Sequence, residues 1–194
     1  MKKLSIEDLL PYDQYVKVQF KFLQEVIEEK KGLRVTISDK MTGLFESKLT
    51  VWFQIQEMIR AEQITREDYL EEMLEVYNDL LPEEKELSMT LFIEIPNQNE
   101  LRAFNKTIVG IEEAVQLHFD GEIVQSYEPG EGEEDEDYTQ SVHYLHFPFS
   151  DEQIEKFLKA SKVTLKVNHQ NYHAETILPD KTLVQLKKQL QQEL

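Results

Sequence analysis

Apolar residues recur along this chain with two spacings, one typical of helices and the other typical of strands. Helix-like spacing together with capping residues predicts helices at residues 5–10, 14–31, 48–62, 66–80, 98–113, 151–160 and 181–193. Alternation of apolar and polar residues predicts strands within residues 34–38, 88–95, 114–119, 122–127, 141–149, 162–169 and 173–178. Most of these strands carry their apolar residues on one face, which is typical of an antiparallel sheet that packs against helices on one side.

The order of the elements indicates the fold class. The helices are too unevenly placed among the strands for a repeating βαβ array, so the pattern predicts an α+β fold with a largely antiparallel sheet. A chain of 194 residues of which 40% are apolar can bury one sizeable core. We therefore expect residues 1–194 to form a single compact domain.

The chain is strongly acidic, with a formal net charge of −17. Seven carboxylates and no basic residue fall in "YEPGEGEEDEDY", residues 127–138. This composition predicts a disordered surface loop at 128–138, and the alternative is an acidic arm that attracts metal ions or docks a partner. Because an acidic surface repels phosphates and anionic lipids, we expect neither nucleic acid nor a membrane as a partner.

Several signatures are missing from the sequence. The chain has no cysteine, which excludes disulfides and thiolate-ligated metal sites within it. No apolar run reaches the length of a signal peptide or a membrane span, so we expect a soluble cytoplasmic protein. No glycine-rich phosphate loop, nucleophile elbow or zinc-protease motif occurs, so no catalytic or cofactor-binding residue can be named from a motif.

Two histidines fall on the apolar faces of predicted strands. His143 shares its face with Leu145 and Phe147, whereas His146 faces the other way. His169 similarly follows Val167 on an apolar face. If the two strands are neighbours, His143 and His169 could converge as a metal or acid–base pair, and the alternative is two hydrogen-bonded histidines at the edge of the core.

The predicted helix at 48–62 supplies the polar residues that could complete such a site. Glu57 and Arg60 lie one turn apart and can form an ion pair, while Glu46 precedes the helix and Glu62 ends it. With the two histidines, one or two of these carboxylates would give a ligand set for iron, manganese or zinc. The alternative is a core helix whose outer face carries surface ion pairs.

The predicted helix at 66–80 has an aromatic-rich stripe that includes Tyr69 and Tyr77. Core packing explains such a stripe, and exposure of part of it would indicate a homodimer interface.

Several segments of the chain resemble one bacterial family. The run "LFESKLTVWFQIQEMIRAEQI" carries the most specific similarity, and "LSIEDLLPYDQY", "YNDLLPEEKELSMTLFIEIP", "VGIEEAVQLHF", "SVHYLHFPFS" and "VNHQNYHAETILP" support it over nearly the whole chain. On these motifs the chain resembles the bacterial family called domain of unknown function 3501. The polar residues that match the motif positions of the family are Glu46, Gln56, Glu57, Arg60, Glu62, His143 and His169.

The resemblance implies a context rather than an activity. Members are encoded near rubrerythrin-like and iron–sulfur oxidoreductase proteins, which implies a redox or oxidative-stress setting. Asn168 stands where the family has an aspartate before the histidine, and an amide orients an imidazole less firmly than a carboxylate does.

Three hypotheses of function follow. The first is a non-catalytic accessory or binding protein that serves a redox partner, such as a rubrerythrin-like system. The second is a metal-binding protein or metal-dependent enzyme that uses the histidines and carboxylates named above. The third is a carboxylate-rich groove that binds a cationic ligand or basic peptide.

Overall fold

The structure is a computed structural model that describes residues 1–130 and 137–192. Residues 131–136, in the middle of the predicted acidic loop at 128–138, lie outside the described residues. The described part of the chain contains six α-helices: α1 (Tyr12–Leu33), α2 (Lys48–Glu62), α3 (Glu67–Asn78), α4 (Gln98–Thr107), α5 (Asp151–Lys159) and α6 (Asp180–Gln191). The first predicted helix, at 5–10, is only a short 3-10 turn at Ile6–Asp8, and the fifth, at 98–113, ends at Thr107 and is followed by a separate 3-10 turn at Ile111–Glu113.

Eight strands are described: β1 (Arg34–Thr36), β2 (Met41–Phe45), β3 (Glu86–Ile93), β4 (Val115–Phe119), β5 (Glu122–Gln125), β6 (Val142–Pro148), β7 (Thr164–His169) and β8 (Tyr172–Ile177). They form two four-stranded sheets, with orders β1-β2-β3-β6 and β5-β4-β7-β8. Every pairing is antiparallel. The predicted α+β class with antiparallel strands is confirmed, with two sheets in place of one.

Tyr127 joins the two sheets. Its backbone exchanges two hydrogen bonds with His146 of β6, at 3.0 and 2.7 Å, just after β5 leaves the second sheet. The bridge brings the polar side chains of both sheets together at this point.

Tight two-residue turns close two hairpins of the second sheet. Asp120 and Gly121, between β4 and β5, both have positive φ, which is the geometry of a type I′ turn. The strands predicted at 162–169 and 173–178 also form a hairpin, since His169 pairs with Tyr172.

The sequence predicts helix caps at Ser5, Thr65, Asn97, Ser150 and Asp180, of which the first, third and fourth agree with the structure. The side chains of Asn97 and Ser150 accept hydrogen bonds from the first turns of α4 and α5, and Ser5 pairs with Asp8. Thr65 does not cap α3, because Arg66 holds that position without a side-chain bond. Asp180 is the first residue of α6 rather than its cap, since the helix starts directly after Pro179.

The apolar residues form two clusters. The larger lies between the two sheets and helices α5 and α6, and it includes Phe45, Phe147 and Phe157. The smaller joins α2, α3 and the N-terminal segment through Val51, Ile55 and other residues. Within residues 1–130 and 137–192, no helix is both long and apolar enough to cross a membrane.

Candidate functional site

His143 lies on β6 and is buried, as its place on an apolar face predicts. Its Nδ1 lies 2.8 Å from the Glu128 carboxylate, and its Nε2 lies 2.9 Å from the Thr139 hydroxyl and 3.0 Å from the Gln140 carbonyl. The ring therefore connects Glu128, at the start of the predicted acidic loop at 128–138, with Thr139 and Gln140, which follow the loop. Both ring nitrogens have protein partners, as a structural histidine requires.

His169 lies at the end of β7, in the other sheet. Its Nε2 donates to the Val109 carbonyl at 2.7 Å, and its Nδ1 accepts the backbone N–H of Asn171 at 3.1 Å. These partners fix the orientation of the ring, with Nδ1 as an acceptor. His143 and His169 therefore belong to different sheets and share no partner in the described part of the chain.

Glu46 is buried at the start of α2 without a basic partner among the described residues. One carboxylate oxygen accepts the Thr50 hydroxyl at 2.5 Å, and the other accepts the Thr90 hydroxyl at 2.7 Å. The positive end of the α2 dipole adds support for a negative charge here. The carboxylate thus ties α2 to β3 and accepts a hydrogen bond on each of its oxygens.

Glu57 and Arg60 form the predicted ion pair, with a nitrogen–oxygen distance of 2.9 Å. The pair faces α1, because Glu57 also accepts the Tyr15 hydroxyl at 2.7 Å and the Gln19 amide at 2.9 Å. Burial would raise the pKa of Glu57, but the Arg60 and Tyr15 hydrogen bonds outweigh it and hold the pKa below its usual value. Burial and the neighbouring Glu57 raise the pKa of Tyr15. The polar residues of this helix therefore fasten α2 to α1.

Glu62 is exposed at the last turn of α2, where it lines a small cavity with Arg66 and Tyr69. Over residues 1–130 and 137–192, no group of three His, Asp or Glu side chains is arranged to hold a metal ion. The predicted set of His143, His169, Glu46, Glu57 and Glu62 is thus distributed over several sites, and its role in metal binding stays a prediction.

A buried charged cluster that the sequence did not reveal lies where the two sheets meet. His146, on the outer face of β6, approaches Glu86 through Nδ1 at 2.8 Å and the Asp79 carbonyl through Nε2 at 2.9 Å. Tyr127 donates its hydroxyl to the same carboxylate at 2.7 Å. Both ring nitrogens of His146 therefore face oxygen acceptors. Burial opposes ionisation of Glu86, but the hydrogen bonds from His146 and Tyr127 prevail and lower its pKa.

The remaining two histidines, His118 and His173, line a shallow cavity of about 360 Å³ on the second sheet. Burial and the nearby Lys166 lower the pKa of His118, which favours its neutral form. Its Nε2 lies 2.8 Å from the Gln116 side chain.

A polar cleft of about 380 Å³ lies between α4 and residues 138–141, and we call it the α4 cleft. Its walls carry Gln98, Asn99, Leu101, Arg102 and Asn105 from α4 and Tyr138, Thr139, Gln140 and Ser141 from the segment before β6.

Asn105 connects the two walls of this cleft. It is 5% exposed, its Nδ2 donates to the Ser141 hydroxyl at 2.9 Å, and its backbone carbonyl accepts the N–H of Thr139 at 3.1 Å. Its Oδ1 is buried and has no partner among the described residues. A buried oxygen without a hydrogen bond lowers the stability of the fold by about 1–3 kcal/mol unless water or a ligand donates to it.

Arg102 is the cation of the α4 cleft. Its side chain is exposed, and within residues 1–130 and 137–192 it has no carboxylate partner. A guanidinium can bind a carboxylate or phosphate through two parallel hydrogen bonds. Of the predicted site residues, only His143 contacts a wall of this cleft, because its ring lies within hydrogen-bonding distance of Thr139 and Gln140. Arg102 and Asn105 were not predicted, and the amide-rich run "NQNELRAFN" is the signal that could have indicated them.

Comparison with known proteins identifies a family through its sequence profile. The sequence profile described as "Protein of unknown function (DUF3501)" matches residues 3–190. A crystal structure described as a novel protein of unknown function from Burkholderia pseudomallei K96243 superposes with a TM-score of 0.90 at 30% sequence identity, covering 97% of this chain and 100% of that chain. No curated protein matches the sequence. The chain therefore belongs to the DUF3501 family.

Proposed function

We propose that this chain is a non-catalytic binding protein and that the α4 cleft is where it binds its ligand. The observation that carries the proposal is that two unsatisfied groups line one cleft: the buried Oδ1 of Asn105 and the guanidinium of Arg102, neither of which has a partner among the described residues. A cleft of about 380 Å³ falls in the range of small-molecule sites.

The lining residues indicate the chemistry of the ligand. Arg102 suits an anionic group such as a carboxylate, and the Oδ1 of Asn105 requires an N–H or O–H donor. The amides of Gln98 and Gln140 can accept or donate, and the half-exposed ring of Tyr138 offers an apolar face. A small molecule that carries both a carboxylate and an N–H donor, such as an amino acid or its amide, matches this set.

The buried ionisable groups support a role without catalysis. His143, His146 and His169 each have protein partners on both ring nitrogens, and Glu46 accepts two hydroxyl bonds. A general acid or base must be able to exchange a proton with a substrate that it reaches. These groups instead fasten one element to another.

A larger groove is the obvious competitor for the ligand. It measures about 510 Å³ and is lined mostly by apolar residues, among them Leu9, Tyr12 and Ile64. It lacks a buried polar atom without a partner, so its lining offers less to fix the orientation of a small polar molecule.

Calorimetric titration tests the proposal. A panel of small carboxylates, amino acids and their amides would be titrated into the protein and into Arg102→Gln. We expect a member of the panel to bind the wild-type protein and to lose at least about tenfold in affinity in the variant, because a charge-assisted pair contributes about 1.5–3 kcal/mol. Lys106→Gln is the matched control, since Lys106 is an exposed cation on the same helix that does not line the cleft.

Two results would contradict this proposal. One is the absence of binding by every member of the panel at millimolar concentration. The other is binding that Arg102→Gln and Asn105→Ala leave unchanged, which would place the ligand elsewhere.

A second and more specific part of the proposal is that the protein works in a redox or oxidative-stress setting. The family resemblance supports this part. In this setting the protein would act as an accessory to a rubrerythrin-like enzyme. We expect addition of the chain to change the peroxide-reduction rate of such an enzyme at least about twofold in a reconstituted assay. An unchanged rate, with and without the ligand from the titration, would remove the redox context but leave the binding site intact.

A further inference from the structure

We propose that helix α1 pairs in antiparallel orientation with α1 of a second copy of this chain, so that the protein is a homodimer. The pairing surface is the α1 stripe, which consists of Val16, Phe20, Leu23 and Ile27. Val16, Phe20 and Ile27 are 45%, 74% and 41% exposed, and Leu23 is half-buried. The face of the helix about a third of a turn away is covered, since Tyr15, Val26 and Leu33 are buried.

The spacing of the α1 stripe is that of a helix that pairs with another helix. Its members are four, three and four residues apart, which is the heptad spacing that keeps apolar side chains along one seam. The helix has 22 residues, about 33 Å at 1.5 Å per residue, so it is long enough for four apolar layers. A single exposed apolar residue needs no partner, but a seam of four does.

Charged residues at the two ends of the stripe select a second copy in antiparallel orientation. Asp13 lies three residues before Val16 and Lys30 lies three residues after Ile27, so both continue the heptad pattern. Neither has an ion-pair partner among the described residues. When two α1 helices run antiparallel, Asp13 of each faces Lys30 of the other.

The same register aligns the apolar layers. With the two-fold axis between positions 20 and 23, Phe20 faces Leu23 of the second copy and Val16 faces its Ile27. A two-fold interface of this kind uses one patch twice, as homodimers commonly do. In parallel orientation, by contrast, Asp13 would face Asp13 and Lys30 would face Lys30.

The distribution of charge favours self-association at α1 over other faces. Residues 12–33 contain four acidic and four basic residues, so the whole net charge of −17 lies on the rest of the chain. Two copies of an acidic protein repel one another, and the repulsion is smallest where a neutral surface meets its copy. A strongly basic partner would be expected to seek an acidic face instead.

Sedimentation velocity at 1–100 μM tests whether the dimer exists. We expect a species of twice the 23.0 kDa chain mass at the upper concentrations. Phe20→Glu should weaken the association at least tenfold, because it places a charge in the centre of the seam. Ile177→Glu is the control, since Ile177 is an apolar residue of β8 that is 56% exposed, and it should leave the dimer unchanged. A wild-type protein that is monomeric at 100 μM, or a dimer that Phe20→Glu leaves intact, would overturn the proposal.

Charge exchange tests the orientation. Asp13→Lys alone and Lys30→Asp alone each place like charges at both ends of an antiparallel seam, so each should weaken the dimer. The double variant Asp13→Lys/Lys30→Asp should restore it. Thermal melts of each variant would confirm that the fold is kept. Failure of the double variant to recover affinity above the single variants argues against the antiparallel register.

Cysteine cross-linking gives an independent test, because the chain has no cysteine of its own. Val16→Cys/Ile27→Cys should form covalent dimers on mild oxidation, while either single variant should not. The two positions are eleven residues apart on one helix, about 16 Å, which excludes a bond within one chain. Cross-linking by a single variant would instead indicate parallel helices and would overturn the arrangement.

Discussion

Among single residues, the contact between His146 and Glu86 is the one that the sequence conceals most completely. The strand pattern places His146 on the outer face of β6 correctly; that face is exposed at Val142 and Tyr144 but buried at His146. Its partner Glu86 is 60 residues away in the chain, and Tyr127 comes from the link between the sheets. Local spacing predicts the direction of a side chain, but a partner at such a separation depends on the topology.

The buried contact between Glu86 and His146 leads to a prediction about a single residue. Glu86→Gln replaces a buried carboxylate that contacts the Tyr127 hydroxyl and the His146 ring, so we expect a loss of about 2–3 kcal/mol in the free energy of unfolding at pH 7. Because folding lowers the pKa of Glu86, its stabilisation is complete above the usual value of 4.5 and is lost as the pH falls through the folded pKa. Urea unfolding should show the difference between the proteins shrinking below pH 4.5.

Glu84→Gln serves as the control for that experiment, since Glu84 is exposed two residues earlier and should change stability by less than about 0.5 kcal/mol. A difference between wild type and Glu86→Gln that stays constant from pH 7 down to pH 3 would show that ionisation of Glu86 is not the cause.

Among the elements, apolar periodicity predicts most of the helices and strands. The strand that it does not predict, β2, has a specific physical reason. Strand β2 was not predicted because Gly43 interrupts its alternating pattern. A Cβ at this position would lie 2.5 Å from the sulfur of Met89 on β3, so the glycine makes room for a core side chain of the next strand. Gly32 likewise lies in α1 beneath the Gln185 side chain of α6. Both glycines are determined by tertiary neighbours that local propensity does not contain.

At the scale of the whole molecule, the candidate site depends on which strands become neighbours. The sequence predicts that His143 and His169 are buried, and the structure confirms this for both. Their convergence required adjacent strands, whereas β6 belongs to one sheet and β7 to the other. The α4 cleft arises from a helix and a segment that meet only in the folded chain, so the amide-rich run on α4 could indicate one wall but not the wall at residues 138–141.

The net charge of −17 makes a prediction for the molecule as a whole. Like charges spread over the surface repel in the folded state, and salt screens that repulsion over about 10 Å at 0.1 M. We therefore expect the melting temperature to rise by about 2–6 °C between 10 and 300 mM NaCl, measured by calorimetry at constant protein concentration. The variant Glu71→Lys/Glu75→Lys, on the exposed face of α3, should show a smaller rise. An equal rise in both proteins would indicate a general salt effect, and a fall would mean that local ion pairs such as Lys156 with Glu122 outweigh the repulsion.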